Sequence, residues 1–553
     1  MSDRGTTQAL AVSGAAAIPA ARWDPLHAVG PPGRHWSRGN IGEALPGVLT
    51  PLTWSLWELA AEGATRTAFF ALGAATKAEA RVPADRSQGI IRAFYGRGAT
   101  QLEFLCAMGD RIPGTSGAAI AEQVFGQAPP ALAGRRSRHR YPMIAVKLPW
   151  TTLRAPKVLR AAAADTHDWW LRESARASGL SLPEATALFT EAVGRFRHTV
   201  ALQATTLFCV VQPVYDLFTK LAARAGLDDS TGMAGGYGAV PETAVVTDLW
   251  RASRAELPVA ELLARHGFRG PREADVSAPV WREDPAPLHR LIAEYAAMDN
   301  AADPALRETR LRAQREDLER RTLAALPWAA RPAARRLLRR AARTVPLRGI
   351  AKDSYLQATD VIRAAARRIG QLLADADIID SPHDIVFLTD AEISSGPPVE
   401  VRALVACRRQ RYEHYRSLDI PTTWVGQPEP VTASTDGLGA SQNTPTLTGA
   451  GVSPGVIEGP ARVVTDPSFD DVEPGEVLVA PATDPSWASV MFLASALVVD
   501  IGGTLSHAAI VARELGVPCV VNTITATRTI RTGDHLRVDG ALGVVTILKR
   551  GEP

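Results

Sequence analysis

The sequence predicts a multidomain protein in which a large, mainly α-helical domain precedes a small α/β domain. Over residues 31–425, apolar residues recur with the helical spacing of about 3.6 positions. Over residues 449–553, short apolar runs alternate with Pro, Gly and Asp, which is typical of strands and turns. Residues 426–448 are rich in Pro, Thr, Ser and Gly and show no apolar period, which predicts a flexible linker between the two domains.

The composition fits a folded protein and argues against several functional classes. The chain has 553 residues and 46% hydrophobic content, enough to bury sizeable cores. With 61 Lys+Arg against 58 Asp+Glu, the net charge of +3 does not indicate nucleic-acid binding. The four cysteines lie far apart, so we expect neither a disulfide framework nor a metal site, and a reducing cytoplasm fits their use.

The termini and apolar runs predict neither a signal peptide nor a membrane span. Residues 1–30 begin with an Ala/Gly/Ser/Thr-rich stretch that predicts a disordered tail. A helical span needs about 18 strongly apolar residues, and the longest uncharged run that is strongly apolar, residues 199–215, contains Gln203, Gln212 and Pro213. We therefore interpret that run as a buried helix and expect a cytoplasmic protein without membrane partners.

Within the helical domain, residues 165–188 and 354–379 are the clearest helical stretches. Residues 307–348 hold thirteen arginines, and a narrow apolar stripe runs through residues 333–343. Such a pattern is typical of a helix with a solvated charged face, and a docking surface for an anionic partner is the alternative interpretation.

The α/β domain is predicted from short strands around one strong helix. A turn at Asp539-Gly540 leads into a final strand over residues 543–548. The helix is expected to start near Ser506 and to stop at Gly516. The other predicted strands are residues 461–464, 476–479, 496–500, 519–521 and 536–538.

The start of this helix carries the residues that indicate chemistry. Ser506 is a good N-cap and Gly516 suits the left-handed position after a helix, so His507 falls in the first helical turn. Gly502 and Gly503 permit close approach of the backbone to a ligand.

A histidine in this position suits phosphoryl transfer. The positive end of the helix dipole disfavours a charged imidazole, so the ring of His507 keeps a free lone pair. The same N–H groups would stabilise a phosphoryl group on that ring, and Thr504 and Ser506 could add hydroxyl hydrogen bonds. A histidine that only caps the helix is the alternative that spacing leaves open.

Residues 502–518, which read GGTLSHAAIVARELGVP, resemble the swivelling phosphohistidine domain of the phosphoenolpyruvate-utilising enzymes. This family includes phosphoenolpyruvate synthase, pyruvate phosphate dikinase and rifampin phosphotransferase. The flanking motifs at 451–455, 474–479, 483–485 and 538–540 agree, so the resemblance covers residues 449–548. It implies that His507 is the phosphorylated residue and that Gly503, Thr504 and Ser506 surround the phosphate. Leu505 stands where several family members have Thr.

The helical region, residues 36–426, resembles the substrate-binding domain of the rifampin phosphotransferase type. Residues 39–54, 266–270 and 281–285 carry the resemblance. Such relatives place an Arg-Glu-x-x-Lys motif near the transferred phosphate.

In this sequence the motif keeps its two cations and loses its acid. Arg348 and Lys352 remain, and Gly349 replaces the Glu. Residues four apart share a helix face, so Arg348 and Lys352 could hold a phosphoryl group between them. An ordinary exposed basic pair is the alternative.

The resemblance also implies how the reaction is divided between proteins. Family members that use ATP carry a nucleotide-binding domain ahead of the substrate domain, and neither it nor the phosphoenolpyruvate barrel is found in this sequence. We therefore expect a phosphotransferase component in which His507 is loaded by a separate ATP-binding subunit. ATP and Mg²⁺ would be used only through that partner, with no tightly bound cofactor in this chain. The acceptor would be a small-molecule hydroxyl or carboxyl in the helical domain.

Two other functions stay open at this stage. A non-catalytic protein could keep the fold to bind a metabolite or partner, with His507 idle. A chain that binds ATP itself, at a site the motifs do not reveal, is the third hypothesis.

Overall fold

The computed structural model describes residues 24–551 except residues 126–131, 133–136, 227–235, 239–240, 433–445, 466–471, 484–486 and 504–505. It confirms the predicted fold class, because a large helical body is followed by an α/β domain built on one sheet. The helices of the body are α1 (Gly39–Ala44), α2 (Pro51–Leu72), α3 (Leu102–Asp110), α4 (Gly117–Phe125), α5 (Tyr141–Arg176), α6 (Leu182–Thr206), α7 (Gln212–Arg224), α8 (Pro241–Ser253), α9 (Val259–His266), α10 (Ala286–Ala297), α11 (Pro304–Ala325), α12 (Arg331–Thr344), α13 (Leu347–Asp375), α14 (Asp390–Ser395) and α15 (Val401–Arg416).

The core of the helical body forms where α2, α6 and α13 pack together. Trp57 of α2 meets Phe196 of α6 and Tyr355 of α13 edge to face, with ring centroids 5.1 and 5.5 Å apart. Aromatic rings in this geometry add specific attraction to the burial of their area. The predicted helix over 354–379 is confirmed in α13, which begins earlier and ends at Asp375.

The predicted helix over 165–188 is wrong in one respect, because it is two helices. Helix α5 ends at Arg176 and a 3-10 turn follows at Ala177–Gly179. Ser181 then starts α6 through a capping box with Glu184, which satisfies N–H groups that a continuous helix would bond internally. The apolar period runs through this break, so periodicity alone did not reveal it.

A small antiparallel sheet ties the two ends of the helical body together. Its strands are β1 (His35–Ser37), β2 (Ile91–Phe94), β3 (Arg97–Gln101) and β5 (Thr423–Val425), in the order β2-β3-β1-β5. Residues 24–30 belong to this body, since Leu26 is buried and Asp24 pairs with Arg411 at 2.8 Å. The predicted tail over residues 1–30 is therefore wrong for 24–30, and residues 1–23 lie outside the described part.

Each described end of the predicted linker contains a short strand. Strand β6 (Val431–Thr432) pairs with β4 (Leu418–Asp419), and β7 (Thr446–Thr448) belongs to the sheet of the α/β domain. The prediction of a linker over all of 426–448 is therefore too long at both ends. Residues 433–445 lie outside the described part.

The α/β domain is one eight-stranded sheet in the order β7-β14-β13-β9-β10-β11-β12-β8. Strands β9 to β12 are parallel, and the flanking pairs are antiparallel. All the predicted strands are confirmed within a few residues, as is the helix. The remaining elements are β8 (Ala450–Ser453), β9 (Val456–Val463), β10 (Val477–Ala480), α16 (Ala488–Met491), β11 (Ala496–Val499), α17 (His507–Leu515), β12 (Cys519–Val521), α18 (Ala526–Thr529), β13 (His535–Asp539) and β14 (Val544–Lys549).

The α/β domain is docked on the helical body. Helices α8 and α10 share an apolar core cluster with it, and the Tyr295 hydroxyl donates to the Ser489 carbonyl at 2.9 Å. Arg307 of α11 donates to the Leu515 carbonyl at the end of α17 at 3.1 Å. This docking brings the start of α17 against the helical body.

Among the described residues, one helical stretch, Leu182–Arg224, is long and apolar enough to cross a membrane by those two measures. It consists of α6, a π-helical turn at Leu207–Val211 and α7. Residues 199–215, for which the sequence predicts a buried helix, span the end of α6, the π-helical turn and the start of α7. The α6 part packs against α2 and α13.

Candidate functional site

His507 opens helix α17 at the carboxyl end of the parallel strands, where α/β sheets commonly bind ligands. The Ser506 hydroxyl caps the helix by accepting a hydrogen bond from Ala509 N at 3.3 Å. Gly516 ends it with φ 63°, a left-handed conformation that glycine adopts without strain. The predicted cap, first turn and stop are thus all present in the structure.

The imidazole of His507 is buried between the two domains and faces a cavity in the helical body. Its side chain is 6% exposed, and within the described residues neither ring nitrogen has a hydrogen-bond partner. Buried polar atoms are nearly always paired, so the imidazole, which has no partner among the described residues, is available to a molecule bound in the cavity. The cavity has a volume of about 260 Å³.

The cavity joins four of the residues that the sequence singled out. Arg348, Lys352, Ser506 and His507 all line it, although they come from two domains. Gly503 is buried in the loop before α17 but is not part of the lining. Thr504 lies outside the described residues, so its predicted role stays a prediction.

The rest of the lining is mostly apolar, with a few amide and hydroxyl groups. Small aliphatic side chains from α2 and α6 alternate with the rings of Trp57, Phe208 and Tyr355. The amide and hydroxyl groups are those of Thr65, Thr100, Gln203 and Gln212, and Glu43 adds a carboxyl group. Such a lining binds a largely apolar molecule and orients it through a small number of hydrogen bonds.

The electrostatic environment keeps His507 neutral. Burial holds the pKa of its imidazole well below the ordinary value of 6.5, and the charges of Lys352, Arg348 and Arg269 lower it further. A neutral imidazole has a lone pair for attack on phosphorus. The sequence predicted the neutral ring from the helix dipole, whereas burial and cations of the other domain are the main causes in the structure.

Arg348 and Lys352 lie one turn apart on α13, as predicted. Lys352 is buried, with its Nζ 3.2 Å from Glu273 Oε1. Arg269 Nη1 lies 3.2 Å from the same oxygen, and Arg269 also pairs with Asp353 at 2.5 Å. The alternative of an exposed basic pair is therefore wrong for Lys352, which is fixed within a buried ion-pair network.

Sequence reasoning missed the two carboxylates of this site. Glu43 Oε2 accepts a hydrogen bond from the His507 backbone N–H at 3.3 Å. Burial raises the pKa of Glu43 to about 8, against the opposing effects of that hydrogen bond and of Arg348. Glu273 lies beside Lys352, whereas the family acid is replaced by Gly349. Glu43 lay within the motif over residues 39–54, and that was the one available signal.

Comparison with known proteins agrees with this architecture. The mobile domain of the PEP-utilising enzymes matches residues 472–543, which include His507, and the fourth domain of rifampicin phosphotransferase matches residues 220–349. The chain therefore contains a mobile domain of the PEP-utilising enzymes and a domain of the rifampicin phosphotransferase type. The matched mobile domain is the α/β domain described above, and the fourth-domain match covers the helices that dock against it.

Individual curated proteins are similar to about half of this chain. An uncharacterized protein of Mycobacterium tuberculosis is 35% identical over 283 residues, 51% of this chain and 30% of its own length. The uncharacterized phosphotransferase YvkC of Bacillus subtilis is 32% identical over 307 residues, 53% of this chain and 36% of its own. A rifampicin phosphotransferase of a Streptomyces species is 33% identical over 299 residues, which are 52% of this chain and 34% of its own length. The chain thus spans about a third of the length of the curated relatives it matches.

Proposed function

We propose that this chain carries a phosphoryl group on His507 from an ATP-binding partner to a small molecule bound in the cavity. One observation carries the proposal: a neutral imidazole, without a hydrogen-bond partner in the described part of the chain, faces the cavity together with Arg348 and Lys352. The names of its relatives, among them rifampicin phosphotransferase, support a phosphotransferase activity.

Transfer of the phosphoryl group from His507 to the acceptor needs no further reactant. The acceptor oxygen attacks the phosphorus of phosphohistidine, the N–P bond breaks, and its electron pair returns to the ring nitrogen. The acceptor hydroxyl proton ends on that nitrogen, which restores the neutral imidazole. Arg348 and Lys352 stabilise the charge on the phosphoryl oxygens in the transition state, as cations do in phosphoryl transfer generally.

The cavity favours a particular kind of acceptor. Its mostly apolar lining would bury the body of a compact apolar molecule. Gln203 and Gln212 would orient the polar groups of that molecule, and the hydroxyl or carboxyl that accepts phosphorus would point toward His507.

Loading requires the α/β domain to leave this docked position, because the helical body covers the imidazole. Residues 433–445 connect β6 to β7, and thirteen residues can reach at most ~45 Å when extended. An ATP-binding unit outside this sequence, with ATP and Mg²⁺, would then phosphorylate His507 in the cytoplasm.

Radiolabelled ATP and the ATP-binding unit encoded in the same genome test this proposal. We expect acid-labile, base-stable label on the wild-type chain and none on His507→Ala. His535→Ala, which removes an exposed histidine of the same domain, should be labelled like the wild type. Equal labelling of His507→Ala and the wild type would refute the proposal. Unchanged biological activity of His507→Ala would favour the non-catalytic binding protein, the alternative that Gly349 supports.

A further inference from the structure

Helix α5 exposes a continuous apolar stripe on the surface of the helical body. Met143, Val146, Trp150 and Leu153 follow the spacing of three, four and three residues that places them on one helix face. Trp150 is 64% exposed and Leu153 68%. The opposite face, which includes Ile144, is buried in the body. Monomeric proteins seldom leave such contiguous apolar stripes uncovered, so this face indicates an interaction surface.

A strongly cationic helix adjoins the stripe. Helix α12 carries Arg331, Arg335, Arg336, Arg339, Arg340 and Arg343. In the described part of the chain, no carboxylate pairs with any of these six.

Helix α11 contrasts with α12 in its pairing. Four of the six arginines of α11 pair with carboxylates of the same helix, for example Arg312 with Glu308 and Arg320 with Asp317. The uncompensated charge of α12 is therefore a local property that an acidic partner would neutralise.

The two helices form one surface. Arg160 of α5 donates to the Arg343 carbonyl at 3.3 Å, and Arg340 of α12 donates to the Thr152 carbonyl at 3.4 Å. Tryptophan, methionine and arginine are the residues enriched in the centres of protein interfaces. Guanidinium forks also match carboxylates in paired geometry, so the fitting occupant is a protein that presents acidic residues around an apolar groove.

We propose that this α5–α12 surface docks the ATP-binding unit that loads His507, through an acidic face of that unit. The inference rests on the proposed function, since it assigns the place where the donor holds this chain. The surface lies on the helical body, so the donor can stay bound there while the tethered α/β domain exchanges between it and the cavity.

Calorimetric titration of the full chain with the ATP-binding unit tests the docking surface. We expect Trp150→Ala/Leu153→Ala and Arg335→Glu/Arg339→Glu each to weaken binding at least tenfold. Rising salt should weaken the wild-type complex and have less effect on the Glu variant. The control Val399→Ser, which changes another fully exposed apolar residue, and Arg320→Glu on α11 should bind like the wild type.

The outcomes separate the docking surface from the proposed function. Weakened binding in the variants with no label on His507 would uphold the surface and refute the phosphoryl carrier. Normal labelling of His507 with equal affinities in all variants would refute the surface alone. Two further outcomes would also overturn it: binding to phosphatidylserine vesicles that Trp150→Ala/Leu153→Ala abolishes, or self-association of the chain that the same variant abolishes.

Discussion

The backbone N–H of His507 lies 3.3 Å from Glu43 Oε2, although 464 positions separate the two residues in the sequence. This contact joins the first turn of α17 to α1, and it is one of several contacts that hold the α/β domain over the cavity. Both groups are buried and neutral near pH 7, because burial lowers the pKa of His507 and raises that of Glu43. Protonation of His507 at low pH or ionisation of Glu43 at high pH would place a charge in this buried contact. We therefore expect docking of the α/β domain to weaken at both extremes of pH.

The imidazole of His507 should stay neutral well below pH 6.5. Nuclear magnetic resonance of selectively labelled histidines measures its pKa directly. We expect a pKa well under the ordinary 6.5, because burial and the nearby cations disfavour the charged ring. Arg348→Ala removes one cation and should raise this pKa. A resonance of His507 that titrates at 6.5 or above would contradict the description of the site.

Docking of the α/β domain on the helical body should weaken at alkaline pH because Glu43 ionises. In the docked state this carboxyl has a pKa of about 8, and in solvent it would return toward 4.5. The contribution of Glu43 to the free energy of docking is therefore fully present below pH 4.5, and it is lost as the pH rises through 8. Glu43→Gln, which stays neutral, should keep the domain docked at pH 9 as seen by interdomain fluorescence transfer. Equal alkaline release in the variant and the wild type would count against this role.

If His507 delivers a phosphoryl group into the cavity as proposed, Arg348→Ala should slow that transfer by about 10²–10³-fold, since it removes a cation that lines the cavity together with His507. Loading of His507 by the donor should change much less. Arg348→Lys should recover part of the rate because it restores the charge. The control Arg320→Ala, at an exposed arginine that pairs with Asp317, should transfer like the wild type, and a similar rate loss there would point to a general charge effect.

The buried network around Glu273 should be a large contributor to stability. Glu273→Ala leaves Arg269 and Lys352 without their shared carboxylate, in a region where all three side chains are almost fully buried. We expect a loss of about 3–5 kcal/mol in the free energy of unfolding of the helical body. Glu413→Ala breaks an exposed pair with Arg416 and should cost at most ~1 kcal/mol in the same urea titration. Equal costs for both variants would show that burial is not the deciding factor.

The sequence predicted the α/β domain and its helix well because the signals are local. Ser506 and Gly516 lie at the two ends of α17 and specify its limits by their own conformational preferences. The strands are short apolar runs bounded by turn residues, and each can be recognised within a few positions. Arg348 and Lys352 share a helix face for the same local reason.

What the sequence did not reveal depends on contacts between distant segments. Glu43 meets His507, and Glu273 meets Lys352, only after the domains and helices have packed. The sequence predicts a tail over residues 24–30 because no local pattern shows their partners. These partners, such as Arg411, come almost 400 positions later. The docked position of the mobile domain is likewise a property of two folded surfaces, which a local pattern does not carry.

Transfer from the isolated phosphoprotein tests the central claim most directly. The chain is loaded with labelled phosphoryl groups, freed of ATP and donor, and mixed with a panel of compact apolar alcohols and phenols. We expect label to move from His507 to at least one compound, and Ala204→Trp, which fills the cavity, to load normally but keep its label. Loss of label at the same rate with and without every compound, or equal transfer by Ala204→Trp, would contradict the claim that His507 delivers a phosphoryl group into this cavity.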